Sequence, residues 1–171
     1  MLKIFVSFSA LFFAGCYEPP PSVKPVVHFD ANRYLGKWFE VARLDNSFER
    51  GFDHTTAEYA LRSDGGIRVV NRGYNSESKK WKTADGRAYF VKDASVGHLR
   101  VSFFRPFYGA YAVFELDSNY QYAFVSGGDL KYLWLLSRTP VIDKTLQDRF
   151  IAKASALGFA TDKLLWVKQT D

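Results

Sequence analysis

The stretch GKW at residues 36–38 begins the first of about eight short β-type segments, and the stretch SRTP at residues 137–140 ends the last. A Trp at the start of the first strand and an Arg at the end of the last can meet where an antiparallel sheet closes on itself. Trp38 and Arg138 are therefore predicted to seal one end of a β-barrel through a cation–π contact of about 0.5–2 kcal/mol. A barrel sealed at one end is a cup, which indicates a chain built to hold a ligand.

Between these two stretches, apolar and polar residues alternate with period two, and turn-forming residues separate the alternating segments. The pattern predicts an all-β fold with eight antiparallel strands in up-and-down order, enough to enclose one small ligand. The strands are expected at residues 38–44, 54–62, 67–74, 81–92, 99–104, 110–116, 121–126 and 132–137. Asp85 and Gly86 are expected to interrupt the fourth strand.

One helix is predicted after the barrel strands. Asp143 is a suitable N-cap, apolar residues recur at helical spacing over residues 146–157, and Gly158 suits the position after the helix. The apolar stripe of this helix is expected to pack on the outside of the barrel. A short final strand is predicted at residues 164–167.

The N-terminal residues resemble the leader of a bacterial lipoprotein. Lys3 precedes an apolar run at residues 4–13, which is too short to span a bilayer, and small residues come directly before Cys16. The resemblance implies a signal peptide at residues 1–15, cleavage before Cys16, and lipidation of that cysteine. Tyr17, where an Asp would retain the protein at the inner membrane, resembles an outer-membrane signal.

The segment after this leader contains three consecutive prolines and a fourth at position 25. This composition predicts a stiff, extended tether at residues 16–29, without a core of its own, followed by the barrel domain at residues 30–171. The opening of that domain, residues 30–35, is expected to form a short helical turn capped by Asp30.

Composition and spacing argue against several classes of function. The 171 residues carry a net charge of +5 without a long basic run, which indicates a solvated exterior, or mild attraction to anionic lipid, and not nucleic-acid binding. A single Cys excludes an intramolecular disulfide. His28, His54 and His98 are isolated, which predicts no metal site. No catalytic or phosphate-binding motif occurs, so the sequence predicts neither an enzyme nor a cofactor.

Several ordered motifs together resemble the lipocalin family, and within it the bacterial outer-membrane lipoproteins close to apolipoprotein D. The match covers about residues 30–168, and Gly36, Trp38 and Arg138 carry its barrel-closing motifs. The remaining similar segments are YLGKWFEVAR at 34–43, FERG at 48–51, NYQYA at 119–123, VSFF at 101–104, PFYG at 106–109 and YLWLLSRTP at 132–140. The resemblance implies an eight-stranded lipocalin barrel with one helix outside it.

Strand alternation predicts which side chains face the interior. The expected ligand-lining residues are Glu40, Ala42, Val69, Asn71, Phe90, Val101, Phe103, Tyr111 and Trp134. The residues expected on the outside are Arg43, Arg68, Arg72, Arg87 and Arg100. Most inward positions are apolar, which suits an acyl chain, while Glu40, Asn71 and Tyr111 either orient a headgroup or serve as structural polar groups.

Two further features are open to more than one interpretation. The loop at residues 45–53, which includes Arg50, either forms a lip that meets a phosphate or carboxylate, or is simply exposed. The cluster of Phe104, Phe107 and Tyr108 contacts a membrane, contacts a second subunit in a homodimer, or packs locally.

The resemblance implies binding of fatty acids or lysophospholipids, for storage, transport or membrane maintenance under stress. It also implies a chain held by lipidated Cys16 at the periplasmic face of a bacterial outer membrane. Two alternatives remain at this point: a filled barrel that serves as an interaction or structural lipoprotein, and a lipocalin-type enzyme acting on a lipophilic substrate.

Overall fold

The computed structural model describes residues 17–170, whose strands form one closed antiparallel barrel. The predicted signal peptide and Cys16 lie outside the described residues. The strands are β1 Gly36–Leu44, β2 Phe52–Leu61, β3 Ile67–Asn75, β4 Lys80–Phe90, β5 His98–Phe104, β6 Phe107–Leu116, β7 Tyr122–Ser126, β8 Leu133–Ser137 and β9 Leu164–Trp166. The α-helices are α1 Ala31–Tyr34 and α2 Lys144–Ala156, and a 3₁₀ turn spans Thr161–Lys163.

Strands β2 to β8 pair in chain order, and β1 closes the barrel by pairing with both β8 and β2. The predicted eight-stranded up-and-down barrel is therefore confirmed. Strand β9 adds to the part of β1 that β2 leaves, pairing with residues 42–44. The expected break in β4 is absent, since Asp85 and Gly86 pair with Val70 and Val69. The missing Cβ of Gly86 leaves room for the Phe103 ring, which lies 2.7 Å from the position that a Cβ would take.

The barrel has a closed end and an open end. At the closed end lie α1, the start of β1, the end of β8 and the loops at residues 62–66, 91–97 and 117–121. At the open end lie the loops at residues 45–51, 76–79, 105–106 and 127–132. This arrangement follows from antiparallel pairing, which returns the chain to the same end after every second strand.

Buried residues form two hydrophobic clusters, one on each face of the barrel wall. The inner cluster includes Trp38, Tyr59 and Val69, whereas the outer cluster includes Phe114, Phe124 and residues of α2. Helix α2 is capped by the Asp143 side chain, which accepts from the backbone N–H of Leu146 at 2.8 Å. Its buried residues, Phe150 and Ala154, pack in the outer cluster as the apolar stripe predicts.

A β-bulge in β1 corrects two of the predicted orientations. Glu40 pairs with Leu136, but Ala42 pairs with Leu135, so Val41 is an extra residue in the ladder. Because one extra residue reverses the alternation, Ala42 belongs to the outer cluster, and the prediction that it faces the interior is wrong. Arg43 is buried and lies opposite Trp134, so its predicted place on the outside is also wrong.

The segment before α1 packs on the barrel and differs from the predicted tether. Val23 is buried in the outer cluster and Phe29 in the inner one. Val26 is held by backbone hydrogen bonds to Val113 and Gly97, at 2.8 and 2.9 Å. Residues 17–29 form a strap that lies along the barrel wall and contributes to both clusters.

The C-terminal residues complete the wall where β1 and β2 diverge. The backbone N–H of Val167 donates to Val41 O at 2.9 Å, and that of His54 donates to Lys168 O at 2.7 Å. The Gln169 side-chain amide donates to the carbonyls of Glu40 and Thr55, at 2.7 and 2.9 Å. The end of the chain thus bridges the two strands.

Candidate functional site

The closed end is sealed by the predicted contact between Trp38 and Arg138. The Arg138 guanidinium carbon lies 3.8 Å from the centre of the Trp38 ring, so the predicted cation–π contact is confirmed. Trp38 is fully buried, and its indole N–H donates to the carbonyl of Tyr34 at 2.8 Å. The Trp38 ring is therefore held at its indole N–H by a hydrogen bond and over its face by the Arg138 guanidinium.

Arg138 also ties together the chain segments that meet at this end. Its guanidinium donates to the carbonyls of Lys37 at 2.8 Å and of Arg33 and Leu35 at 2.9 Å. A longer bond of 3.3 Å reaches the carbonyl of Tyr120. All four acceptors are neutral carbonyls, so the planar guanidinium joins these segments by its hydrogen-bond donors, without a carboxylate partner.

Gly36 supplies the backbone conformation that the start of β1 requires. Its φ is +88°, a conformation that other residues adopt with strain, and Arg138 Nη1 lies 3.6 Å from the position of a Cβ. The Gly-x-Trp pattern is therefore explained by backbone conformation at the first position and by burial at the third.

An enclosed cavity lies inside the barrel just above this seal. Its volume is about 20 Å³. The lining residues are Phe29, Tyr34, Tyr59, Ile67, Val69, Ala88, Leu99, Val101 and Tyr111. A space of this size holds about one water molecule, so a larger ligand enters only if the inward side chains move.

Three tyrosine hydroxyls meet beside this cavity. Tyr111 Oη lies 2.7 Å from Tyr34 Oη and 2.8 Å from Tyr59 Oη. Burial raises the pKa of all three phenols, so they remain protonated across the physiological range. Three hydroxyls joined by two hydrogen bonds retain one O–H hydrogen that none of the three accepts, which gives an otherwise apolar region one donor.

A second polar group lies nearer the open end, around Arg43. Arg43 Nη1 donates to Glu40 Oε1 at 2.7 Å, and both side chains are about 5% exposed. Arg43 Nη2 donates to the carbonyls of Glu49 and Phe52 at 2.8 and 2.9 Å. The Trp134 indole N–H donates to Glu49 Oε2 at 2.8 Å, so the loop at residues 45–51 reaches back into the interior.

The Glu40 carboxyl group lies near both the Arg43 guanidinium and the Glu49 carboxylate. Burial raises the pKa of Glu40, the nearby Glu49 carboxylate raises it further, and Arg43 opposes the rise. Because burial disfavours the charged carboxylate and Glu49 adds a negative charge nearby, Glu40 retains its proton to higher pH than an exposed glutamate does.

The structure brings most of the predicted lining residues into the interior. Val69, Val101 and Tyr111 line the cavity, and Phe90, Phe103 and Trp134 pack against the inner cluster. Asn71 lies two residues beyond Val69 on the same strand face, and its Oδ1 is buried without a hydrogen-bond partner. Glu40 is buried beside Arg43, whereas Ala42 lies outside the barrel.

Several interior residues were not among the predicted lining set, including Ile67, Ala88 and Leu99, which line the cavity. Tyr59 follows from the same alternation on β2, which puts Ala57 and Tyr59 on one face. Phe29 and Tyr34 enter from the strap and α1, which the strand pattern does not cover. Arg43 and Glu49 depend on the bulge and on the conformation of the following loop, for which the sequence carries no local signal.

The described residues carry neither a metal cluster nor a membrane-spanning helix. Among residues 17–170, no group of three His, Cys, Asp or Glu side chains lies close enough to hold a metal ion. In the same part of the chain, no helix has the length and apolar character needed to cross a bilayer.

Comparison with known proteins agrees with this geometry. A family model for a lipocalin-like domain matches residues 29–169. Outer membrane lipoprotein Blc of Vibrio cholerae is 55% identical over 170 residues, covering 99% of each chain. Outer membrane lipoprotein Blc of Escherichia coli is 48% identical over 163 residues, covering 94% of this chain and 92% of its own.

Among solved structures, insecticyanin from the tobacco hornworm Manduca sexta superposes with a TM-score of 0.72 at 20% identity. The match covers 91% of this chain and 88% of insecticyanin, which shows a shared fold. Fold, sealed end and sequence similarity agree, and the chain belongs to the lipocalin family.

Proposed function

We propose that this barrel binds one lipophilic ligand with an acyl chain, a fatty acid or a lysophospholipid, for storage, transport or membrane maintenance. The observation that carries the proposal is the enclosed apolar cavity inside a barrel that is sealed at one end only. The ligand would enter from the open end with its chain directed towards the seal formed by Trp38 and Arg138.

The driving force would be the transfer of the acyl chain out of water. Each buried methylene contributes about 0.8 kcal/mol, so ten methylenes give roughly 8 kcal/mol before the costs of association. Val69, Val101, Phe90 and Phe103 would contact the chain once the inward side chains have moved. That movement costs part of the gain, because the resting cavity holds only about 20 Å³.

The polar group around Arg43 would receive the headgroup. Arg43 supplies a positive charge for a carboxylate or phosphate, and the buried Oδ1 of Asn71 lacks a partner that a headgroup donor can provide. Glu40 and Trp134 complete this set, with Tyr111 deeper in the barrel. A ligand carboxylate would compete with Glu40 for the same guanidinium.

The chain would act at the periplasmic face of a bacterial outer membrane, anchored through lipidated Cys16. Support comes from the lipoprotein-like sequence around Cys16 and from the two relatives, both named as outer membrane lipoproteins. Two or more acyl chains on one cysteine give stable anchoring, whereas a single chain binds reversibly. No catalytic role and no cofactor form part of this proposal.

A second function is favoured by the small size of the cavity. A barrel that stays filled would serve as an interaction or structural lipoprotein, and its surface would carry the function. The two proposals differ in one measurable property, the uptake of lipid into the interior.

The test is native mass spectrometry of residues 17–171 titrated with oleate and with lysophosphatidylethanolamine, followed also by Trp fluorescence. We expect saturable one-to-one binding of at least one of the two lipids in the wild type. Ala88→Leu, which adds bulk at a cavity-lining position, is expected to weaken uptake at least tenfold. Ala60→Leu makes the same change at an exposed position and serves as the matched control.

Each outcome decides between the two candidate functions. One-to-one uptake that Ala88→Leu reduces and Ala60→Leu leaves unchanged supports a carrier that uses the interior. Absence of uptake for both lipids, with an unchanged Trp signal, contradicts the carrier and favours the filled barrel. Uptake that both variants leave unchanged means that lipid binds elsewhere and also contradicts the proposal.

A further inference from the structure

The tip of the β5–β6 hairpin displays two phenylalanines to solvent. Phe104 and Phe107 pair across the tip and are 74% and 76% exposed, the highest values among the exposed large apolar side chains of residues 17–170. Only Arg105 and Pro106 separate them. Exposing adjacent aromatic side chains to water is unfavourable, and such patches mark contact sites for apolar partners.

Exposed phenylalanines occur only at the open end in the described part of the chain. Phe48, in the loop at residues 45–51, is 72% exposed and is the third member of this set. At the closed end, the exposed large apolar residues include the aliphatic Leu61 but no aromatic one. The two ends therefore differ in the kind of side chain that they present, and only one end is suited to an interface between water and hydrocarbon.

The same end carries cations without ion-pair partners. Within residues 17–170, no carboxylate pairs with Arg105, Lys79, Lys80 or Lys131, and all four are exposed. By contrast, Arg50 in the neighbouring loop is paired with Asp45 at 2.7 Å. Unpaired cations around exposed aromatic rings complement a surface that is apolar within and anionic at its edge.

The start of the described chain lies beside this hairpin. The Tyr17 ring packs edge-on against Tyr108, with the ring centres 6.3 Å apart, and Tyr108 directly follows Phe107. The Arg100 guanidinium lies 5.5 Å from the Tyr17 ring and 5.2 Å from the Tyr108 ring, which fixes the pair to the wall. Cys16, the predicted site of lipidation, is the residue joined to Tyr17, so an anchor there would emerge close to the hairpin.

We propose that the β5–β6 hairpin tip, with Phe104 and Phe107, inserts into the surface of an anionic lipid bilayer and turns the open end of the barrel towards it. This second membrane contact is distinct from the lipid anchor, and it does not depend on the barrel taking up a ligand. It would place the open end where a lipid leaving the bilayer enters the barrel without crossing water.

The test uses residues 17–171, which lack the anchor but contain every element and both clusters described above. Cosedimentation is measured with vesicles of phosphatidylethanolamine and phosphatidylglycerol in a 3:1 ratio. We expect Phe104→Ser combined with Phe107→Ser to lower the partition coefficient at least tenfold. Leu61→Ser combined with Val141→Ser removes two exposed apolar side chains distant from the hairpin, and we expect it to stay within twofold of the wild type.

Two further measurements separate the electrostatic and apolar parts of the contact. Arg105→Gln is expected to lower binding to these vesicles about threefold, and to have no effect on binding to pure phosphatidylcholine vesicles. Wild-type binding is expected to fall as salt rises, because exposed charges are screened. Binding that depends on neither the two phenylalanines nor salt would overturn the proposal.

The same variants distinguish a membrane contact from a contact between two copies of the chain. Sedimentation velocity of the wild type and the Phe104/Phe107 double variant reports self-association directly. A dimer that the double variant dissociates, with vesicle binding unchanged, assigns the patch to self-association and overturns the proposal. Oleate uptake by the double variant is expected to match the wild type, so a failure of ligand binding is seen separately from a failure of docking.

Discussion

Two arginines stand at opposite ends of the same barrel and are held in different ways. Arg138 at the closed end donates to four backbone carbonyls and lies on the Trp38 ring. Arg43 near the open end faces the buried Glu40 and the carbonyls of a loop. Neutral partners make the first arrangement insensitive to pH, whereas the second changes when a carboxyl group gains or loses a proton.

This difference separates a permanent seal from a group that can exchange partners. The acceptors of Arg138 belong to the chain segments that close the barrel, so they cannot leave without opening it. Glu40 can take up a proton and Glu49 lies in a loop at the open end, so the partners of Arg43 are replaceable by ligand oxygens or water. The closed end therefore contributes stability, and the open end retains the capacity to bind.

The largest expected effect comes from Arg138→Met, which keeps an unbranched apolar stem and removes every donor. Several carbonyls lose a partner and the cation–π contact disappears, so the free energy of unfolding should fall by about 3 kcal/mol. Urea denaturation followed by Trp fluorescence measures the change. Arg68→Met, which breaks an exposed pair with Asp85, is the matched control and should stay within about 0.5 kcal/mol of the wild type.

A smaller loss is expected from Arg43→Met. Glu40 can retain a proton in place of the lost charge, and the exposed loop at residues 45–51 can admit water to its carbonyls, so we expect a loss of about 1–2 kcal/mol. The same denaturation experiment gives the value. A loss as large as that of Arg138→Met would show that the two arginines stabilise the fold equally. It would contradict the distinction between a permanent seal and a group with exchangeable partners.

The smallest effect, and the one that sharpens the comparison most, is the pH dependence removed by Glu40→Gln. Burial raises the pKa of Glu40 in the folded chain, whereas the unfolded carboxyl titrates near 4.3. The stabilising contribution of the proton is therefore complete below about pH 4.3 and is lost as pH rises through the folded pKa. At the closed end no such dependence is expected.

The measurement is the free energy of unfolding of the wild type minus that of Glu40→Gln, determined between pH 4 and pH 8. We expect this difference to decrease as pH rises. Other groups, such as Glu115 with its ion pairs to Arg149 and Lys153, titrate in both proteins and cancel. A difference that is flat, or that increases with pH, would contradict the assignment of a raised pKa to Glu40.

The barrel could be predicted from the sequence because its signals are local. Each strand shows period-two alternation between turn residues, and the predicted bounds agree with the structure to within three residues. The N-cap of α2 and the pairing of Trp38 with Arg138 follow from residue types with few structural uses. The strands and the N-cap depend on a few neighbouring residues. The contact of Trp38 with Arg138 depends only on the two strand ends that meet when the barrel closes.

The remaining features depend on contacts that no local pattern records. The bulge at Val41 arises where β1 exchanges β2 for β9, and it reverses the orientation of Ala42 and Arg43. The strap looks like a tether because of its prolines, yet Val23 and Phe29 gain burial that only the finished barrel offers. The polar group around Arg43 depends on the bulge and on the conformation of the following loop, which explains why the sequence did not predict it.

The bridge formed by the last residues also bears on how the chain folds. Strands β2 to β8 pair with sequence neighbours, so these hairpins form from contacts of short separation. Strand β1 can pair locally with β2, but its other partners are β8, β9 and Gln169, which lie about a hundred residues away. Because contacts of long sequence separation slow folding, closure is the late step, and an emerging chain holds an open sheet until its C-terminus is free.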